Sequence, residues 1–226
     1  MNRNTGSKNI ITHRSPQSRG EEIANSITHG IGALLGIAAL VLLLVFASRY
    51  GDAWRIVSFS IYGSTLIFLY TASTLYHSFR QERLKRIFRI LDHSSIYLLI
   101  AGTYTPVVLV SLRGPWGWSL FGIVWAMTIG GIITKVALTG RFKFLSTLFY
   151  IAMGWIVVIA IKPLLYAAPT GLIIWLIIGG LSYTFGTIFY AWKGMPYNHA
   201  VWHLFVLGGS ISHFFGIFFY LSHKTI

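Results

Sequence analysis

Residues 27–48 read ITHGIGALLGIAALVLLLVFAS, 22 positions without a charged side chain. About 20 apolar residues in a helix cross the hydrocarbon layer of a bilayer. The stretch therefore predicts a membrane-spanning helix, and comparable runs follow it. Residues 56–79, 93–112 and 114–134 are free of charge. Residues 144–161 make a slightly short fifth run, and 163–192 and 194–223 a sixth and seventh. Strand-like alternation is absent, which argues against a membrane β-barrel. The expected fold is all-α: a polytopic bundle of seven transmembrane helices, residues 21–226, behind a polar tail of residues 1–20.

Composition supports the same class. Hydrophobic residues make up 55% of the 226-residue chain and charged residues 10%. Soluble domains carry roughly 25% charged residues, so too little charge is present to coat a water-facing surface. A water-soluble enzyme, a disordered chain and a coiled coil are excluded. The loops between the runs are too short for a soluble domain. The tail holds Arg3, Lys8, Arg14 and Arg19 but no apolar core, so it reads as a disordered cytoplasmic segment and not a cleaved signal. The chain has no Cys, which removes disulfides and thiolate metal sites.

Lys and Arg outnumber Asp and Glu by 18 to 5. The basic residues are scattered between apolar runs, a pattern for anionic lipid headgroups and not for nucleic acid. With the N-terminus inside, the cytoplasmic side holds 13 of the 18. They include Arg80, Arg83, Lys85, Arg86 and Arg89 between the second and third runs, and Lys135, Arg141 and Lys143 around the fourth connection. The other side holds Arg49, Arg55, Arg113, Lys162 and Lys224. The positive-inside rule predicts N-in, C-out. Gly32 and Gly36, Gly130–Gly131, Gly179–Gly180 and Gly208–Gly209 suit close helix packing in lipid. Pro106 is expected to bend the third helix.

Ionisable groups inside membrane spans are costly and mark functional candidates. His77 closes the second run, Asp92 opens the third, His199 and His203 open the seventh, and His29 opens the first. The predicted topology brings all of them to one leaflet. His199 and His203 are four apart, on one helix face. Two imidazoles so spaced can grip one metal ion, and zinc suits a site with neutral imidazoles and no soft ligand. Ala200 occupies the place of the Glu in a His-Glu-x-x-His helix, so a base must come from elsewhere, and Asp92 is the candidate. With His77 as third ligand, Ser73 sits one turn deeper as its neighbour. Glu22, Asn25 and His29 form one helical stripe, read either as a polar helix start or as a network beside the metal. Asp92 has an alternative partner in Arg89, three residues earlier. His93 is expected to point away, and His213, roughly 15 Å deeper, to be hydrogen-bonded within the bundle.

Together these residues resemble the bacterial hemolysin III proteins of the progestin and adiponectin receptor family. The resemblance rests on Glu22-x-x-Asn25-x-x-Thr28-His29, Ser73-x-x-x-His77, Arg89-x-x-Asp92 and His199-x-x-x-His203, and covers nearly all of residues 21–222. It implies a seven-helix bundle with Zn2+ near the cytoplasmic face, bound by His77, His199 and His203. Asp92 would hold water there, with Ser73 close by. Family relatives include receptor-like proteins with ceramidase-type activity.

The leading expectation is a zinc-dependent intramembrane hydrolase cleaving a lipid amide or ester, ceramidase-like, in membrane lipid homeostasis. Its partners are membrane lipids and anionic headgroups at the cytoplasmic face. Two other readings stay open: a receptor-like or regulatory protein with a structural zinc, and a cytolysin. Nothing in the residues supplies a pore.

Overall fold

The computed structural model describes residues 17–137 and 143–223. Among these residues every regular element is helical, and seven helical segments are long and apolar enough to span a membrane. In chain order the α-helices are α1 (Arg19–Tyr50), α2 (Ala53–Ser78), α3 (Glu82–Pro106), α4 (Pro115–Ala137), α5 (Lys143–Trp155), α6 (Ile161–Ala167), α7 (Thr170–Ala191) and α8 (Asn198–Leu221). A 3-10 turn, Ile156–Ala160, joins α5 and α6 into one span. Most of the expected tail, residues 1–16, and the fourth connection, residues 138–142, lie outside the described residues.

Local chemistry starts the helices. Ser18 caps α1 in a reciprocal box with Glu21: its hydroxyl accepts from Glu21 N–H at 3.2 Å, and its own N–H donates to Glu21 Oε2 at 2.6 Å. Residues 18–20, expected in the tail, are thus the cap and first turn of α1. At the other end of the bundle Asp52 caps α2 by accepting from Arg55 N–H at 3.0 Å. The Asp52 carboxylate also takes Arg55 Nη1 at 3.0 Å and Arg113 Nη2 at 3.4 Å, while Arg55 Nε donates to the Leu221 carbonyl at 2.7 Å. One acidic side chain therefore ties the α1–α2 turn to the turn before α4 and, through Arg55, to the end of α8.

Two boundaries differ from the sequence expectation. The basic stretch Arg80 to Arg89 is not a loop: the connection is residues 79–81, and α3 begins at Glu82, two to three turns before the apolar run. Charge does not stop a helix whose arginines face outward, and Arg83, Arg86 and Arg89 are exposed. Pro163 does not separate the fifth and sixth spans. It sits in the first turn of α6, where a missing N–H costs little, and the chain reverses at Ala168–Pro169. Pro106 is followed by a π-helical turn, Val107–Ser111, in which Leu112 N–H reaches back five residues to the Val107 carbonyl at 3.1 Å.

The core lies where α2 is enclosed by α1, α3 and α8. Phe59, Tyr62, Leu66 and Tyr70 of α2 are buried there with Leu43, Leu99 and Val206. The outward faces keep Leu34, Val41, Phe144 and Ile177 exposed, as lipid requires. Helices approach closely at small residues. A Cβ on Gly32 of α1 would meet the Tyr70 ring at 2.5 Å, and one on Gly209 of α8 would meet the Tyr183 ring at 2.8 Å.

Candidate metal centre

The ends of α1, α2, α3 and α8 converge at the end of the bundle that carries Arg83, Arg86 and Arg89. The α8 start is held unusually: Tyr197 takes a left-handed backbone (φ 55°), and its N–H donates to Glu21 Oε1 at 2.9 Å. The same glutamate therefore caps α1 and sets the turn that launches His199 and His203. His77 comes from the last turn of α2.

These three histidines meet. Their ring centroids are 5.2 Å (His77–His199), 5.1 Å (His77–His203) and 4.6 Å (His199–His203) apart, and one ligand nitrogen from each lies within 4.8 Å of the others. They form the one cluster of metal-ligating type among the described residues. The hydrogen bonds around the rings assign their protons. His77 Nδ1 donates to the Glu22 carboxylate at 2.6 Å, so its Nε2 carries the lone pair. That Nε2 is buried without a hydrogen-bond partner. His203 Nδ1 donates to the Asn25 carbonyl at 3.3 Å, which leaves its Nε2 likewise as the lone-pair nitrogen. A carboxylate behind a histidine, and an orphaned buried acceptor in front of it, is how proteins present imidazole to a metal. The donor set fits zinc: three imidazoles and no sulfur.

The remaining candidates take distinct places. Asn25 is fully buried, with Nδ2 3.4 Å from His77 Nδ1. His29 is stacked on His203, centroids 3.5 Å apart and planes 10° from parallel. Ser73 is fully buried one turn below His77, its hydroxyl without a partner among the described residues. Asp92 is buried on α3, and its described ion-pair partner is His93, with Nδ1 3.3 Å from Oδ2. This corrects two expectations. Arg89 does not pair with Asp92; its guanidinium side is exposed, and it contributes a backbone carbonyl that accepts from His93 Nδ1 at 2.9 Å. His93 does not point away, because its ring folds back over the preceding turn toward both oxygens. His213 donates through Nε2 to the Leu176 carbonyl at 3.2 Å, inside the bundle as expected.

Sequence reasoning missed Lys85, which was counted only among the topology charges. Its ammonium pairs with Glu22 Oε1 and lies 5.3 Å from the Tyr76 ring centroid. No spacing announces that contact, since α1 and α3 supply its two sides.

A cavity of about 150 Å³ opens beside the cluster, with His29, Asp92, His199 and His203 at one end and Gly154 and His213 deeper. Its hydroxyls are turned into the protein. Thr103 donates to the Leu99 carbonyl at 2.8 Å, Thr184 to Gly180 at 2.7 Å and Tyr104 to Gly154 at 2.8 Å. The walls are therefore largely apolar, with Lys135 and His213 as the further charged and imidazole side chains that line them.

The family described as Haemolysin-III related matches residues 17–214, which span every helix that supplies the cluster. The chain belongs to that family. It is 53% identical over 209 residues to Hemolysin-3 of Bacillus cereus, covering 92% of this chain and 95% of the relative. It is 54% identical over 201 residues to the Hemolysin-3 homolog of Bacillus subtilis (strain 168), covering 88% and 94%. The human Monocyte to macrophage differentiation factor is 29% identical over 224 residues, covering 94% and 92%, and extends the relationship to the progestin and adiponectin receptor family. This haemolysin-III-related chain is a multi-pass membrane protein with a buried histidine triad suited to a metal ion.

Proposed function

We propose that the protein is a zinc-binding intramembrane hydrolase that cleaves an amide or ester bond of a lipid. The observation that carries this reading is the histidine triad at the head of an apolar-walled cavity, with the Asp92 carboxylate on the same wall. A metal site that only braces helices needs no such cavity beside it. When bound, zinc supplies Lewis acidity toward water and toward a carbonyl group.

The protein's own residues do the rest. Glu22 and the Asn25 carbonyl hold His77 and His203 in the tautomer that offers Nε2. Lys85 anchors Glu22 from α3. Asp92, oriented by His93, accepts a proton from the attacking water as general base. The carbon-faced walls take the acyl chain and keep bulk water out. The exposed Arg83, Arg86 and Arg89 meet anionic headgroups at the cytoplasmic face of a bacterial plasma membrane, with the N-terminus inside.

Metal analysis and a lipid-hydrolysis screen on purified protein test this. His199→Ala and His203→Ala are expected to lose both zinc and hydrolysis. Asp92→Ala is expected to keep zinc and lose roughly 10²–10⁴-fold in rate, the usual weight of a general base. Full hydrolysis by a metal-free His199→Ala/His203→Ala double variant overturns the reading.

A further inference from the structure

His29 is a polar residue of this centre that the foregoing chemistry leaves unused. It is 3% exposed, deep in the bundle end, and both of its ring nitrogens are buried without a hydrogen-bond partner. Every other imidazole here has an evident use. His77 and His203 each spend one nitrogen on a neighbour and keep one, His93 bridges to Asp92, and His213 reaches a carbonyl. An imidazole withdrawn from water with nothing at either nitrogen is unfavourable unless a partner arrives.

The metal is not that partner. A ring-nitrogen lone pair lies in the plane of its ring. The His29 and His203 planes are 10° from parallel with centroids 3.5 Å apart. Two such planes do not converge on one point at a zinc–nitrogen bond length of about 2 Å from each. While His203 serves the triad, His29 stands beside it and not in it. Nor is Tyr70 the partner. Its ring meets His29 edge-on at 5.0 Å, but its hydroxyl donates to Ser210 Oγ at 2.7 Å. What His29 does border is the head of the cavity, together with Asp92 and His199.

We propose that His29 binds the polar head of the lipid that enters this cavity, selecting a group that carries both a hydrogen-bond donor and an acceptor. The proposal rests on the reading of the cavity as a lipid site and adds the residue that recognises the head. A neutral imidazole has one N–H and one lone pair. A hydroxyl or an N–H amide matches both in kind, whereas an ester offers acceptors alone and leaves the imidazole acceptor orphaned. The apolar walls make no such distinction, and the Lys135 ammonium, which also lines the cavity, offers donors alone, so the match to both a donor and an acceptor falls to His29.

The test compares three probes of one chain length: dodecanamide, methyl dodecanoate and dodecane. Binding to zinc-loaded protein in detergent is measured by displacement of a fluorescent fatty acid, with zinc content determined for every variant. Wild-type protein is expected to bind the amide about tenfold more tightly than the ester, the worth of one hydrogen bond. His29→Phe keeps an aromatic ring against His203 and removes both nitrogens. It is expected to retain zinc, lose the amide preference and leave dodecane binding unchanged. His29→Asn, which restores a donor and an acceptor without the ring, is expected to recover part of the preference and guards against a folding defect in the first variant. Loss of zinc from His29→Phe, or an intact amide preference in it, overturns the proposal and leaves the hydrolase reading standing. Failure of wild-type protein to bind any of the three overturns both.

Discussion

Glu22 shows how much one side chain carries at this site. Its two carboxylate oxygens go to His77 Nδ1 and to the Lys85 ammonium, joining α1 to α2 and α3 in one contact. A carboxylate behind a metal-binding histidine typically contributes 10–100-fold to affinity. Glu22→Gln is therefore expected to weaken zinc retention about 10–100-fold in chelator competition, while Lys85→Met, one step further out, weakens it less. A reversed order places the dominant charge on Lys85. Ser73 and Asn25 sit within the same buried group, and their unpartnered Oγ and Oδ1 atoms mark where ordered water or ligand belongs.

At the scale of elements, stability depends on how closely helices approach and how their turns are pinned. Gly32→Val drives a side chain into the Tyr70 ring and is expected to destabilise the α1–α2 pair by about 1–3 kcal/mol. Leu34→Val, on the exposed face of the same helix, should stay within about 0.5 kcal/mol. Thermal unfolding in micelles compares the two, and equal effects count against helix packing as the cause. The Asp52 turn is pinned electrostatically. Burial alone pushes its carboxyl up, but the Arg55 N–H and the Arg55 and Arg113 guanidiniums outweigh burial and hold it below the usual carboxylate range. A carboxyl lowered by folding stabilises the native state above its unfolded pKa of about 4 and loses that contribution as pH falls through the folded value. Asp52→Asn should melt below wild type at pH 7, with the gap closing under about pH 4. A gap independent of pH means that the hydrogen bonds, and not the charge, pin the turn.

At the scale of the molecule, the two ends of the bundle are chemically unlike. One carries the histidine centre with Arg83, Arg86 and Arg89, the other the Asp52–Arg55–Arg113 knot. The positive-inside rule assigns the first to the cytoplasm. Because the chain has no cysteine, single substitutions report orientation cleanly. An impermeant thiol reagent on intact cells should label Trp116→Cys at the start of α4. It should reach Lys193→Cys, after α7, only once the membrane is opened. The opposite pattern inverts the topology and moves the candidate centre to the outer face.

Seven spans were legible because burial in lipid demands about 20 apolar residues in a row, a requirement that acts on the chain locally. The boundaries that went astray, at Glu82 and at Pro163, are those where helix formation and hydrophobicity part company. A charged helix remains a helix when its arginines face outward, and proline is tolerated in a first turn. The residue types of the centre were legible too, since ionisable side chains stand out against apolar sequence, and the four-residue spacing of His199 and His203 shares one face by helical geometry alone. Their surroundings were not. That His93 turns to Asp92, that Lys85 reaches Glu22, and that His29 lies flat on His203 are matters of side-chain direction and of contact between helices distant in sequence. Periodicity places a residue on a face but says nothing of what faces it across the interface. Only packing the helices against one another decides that.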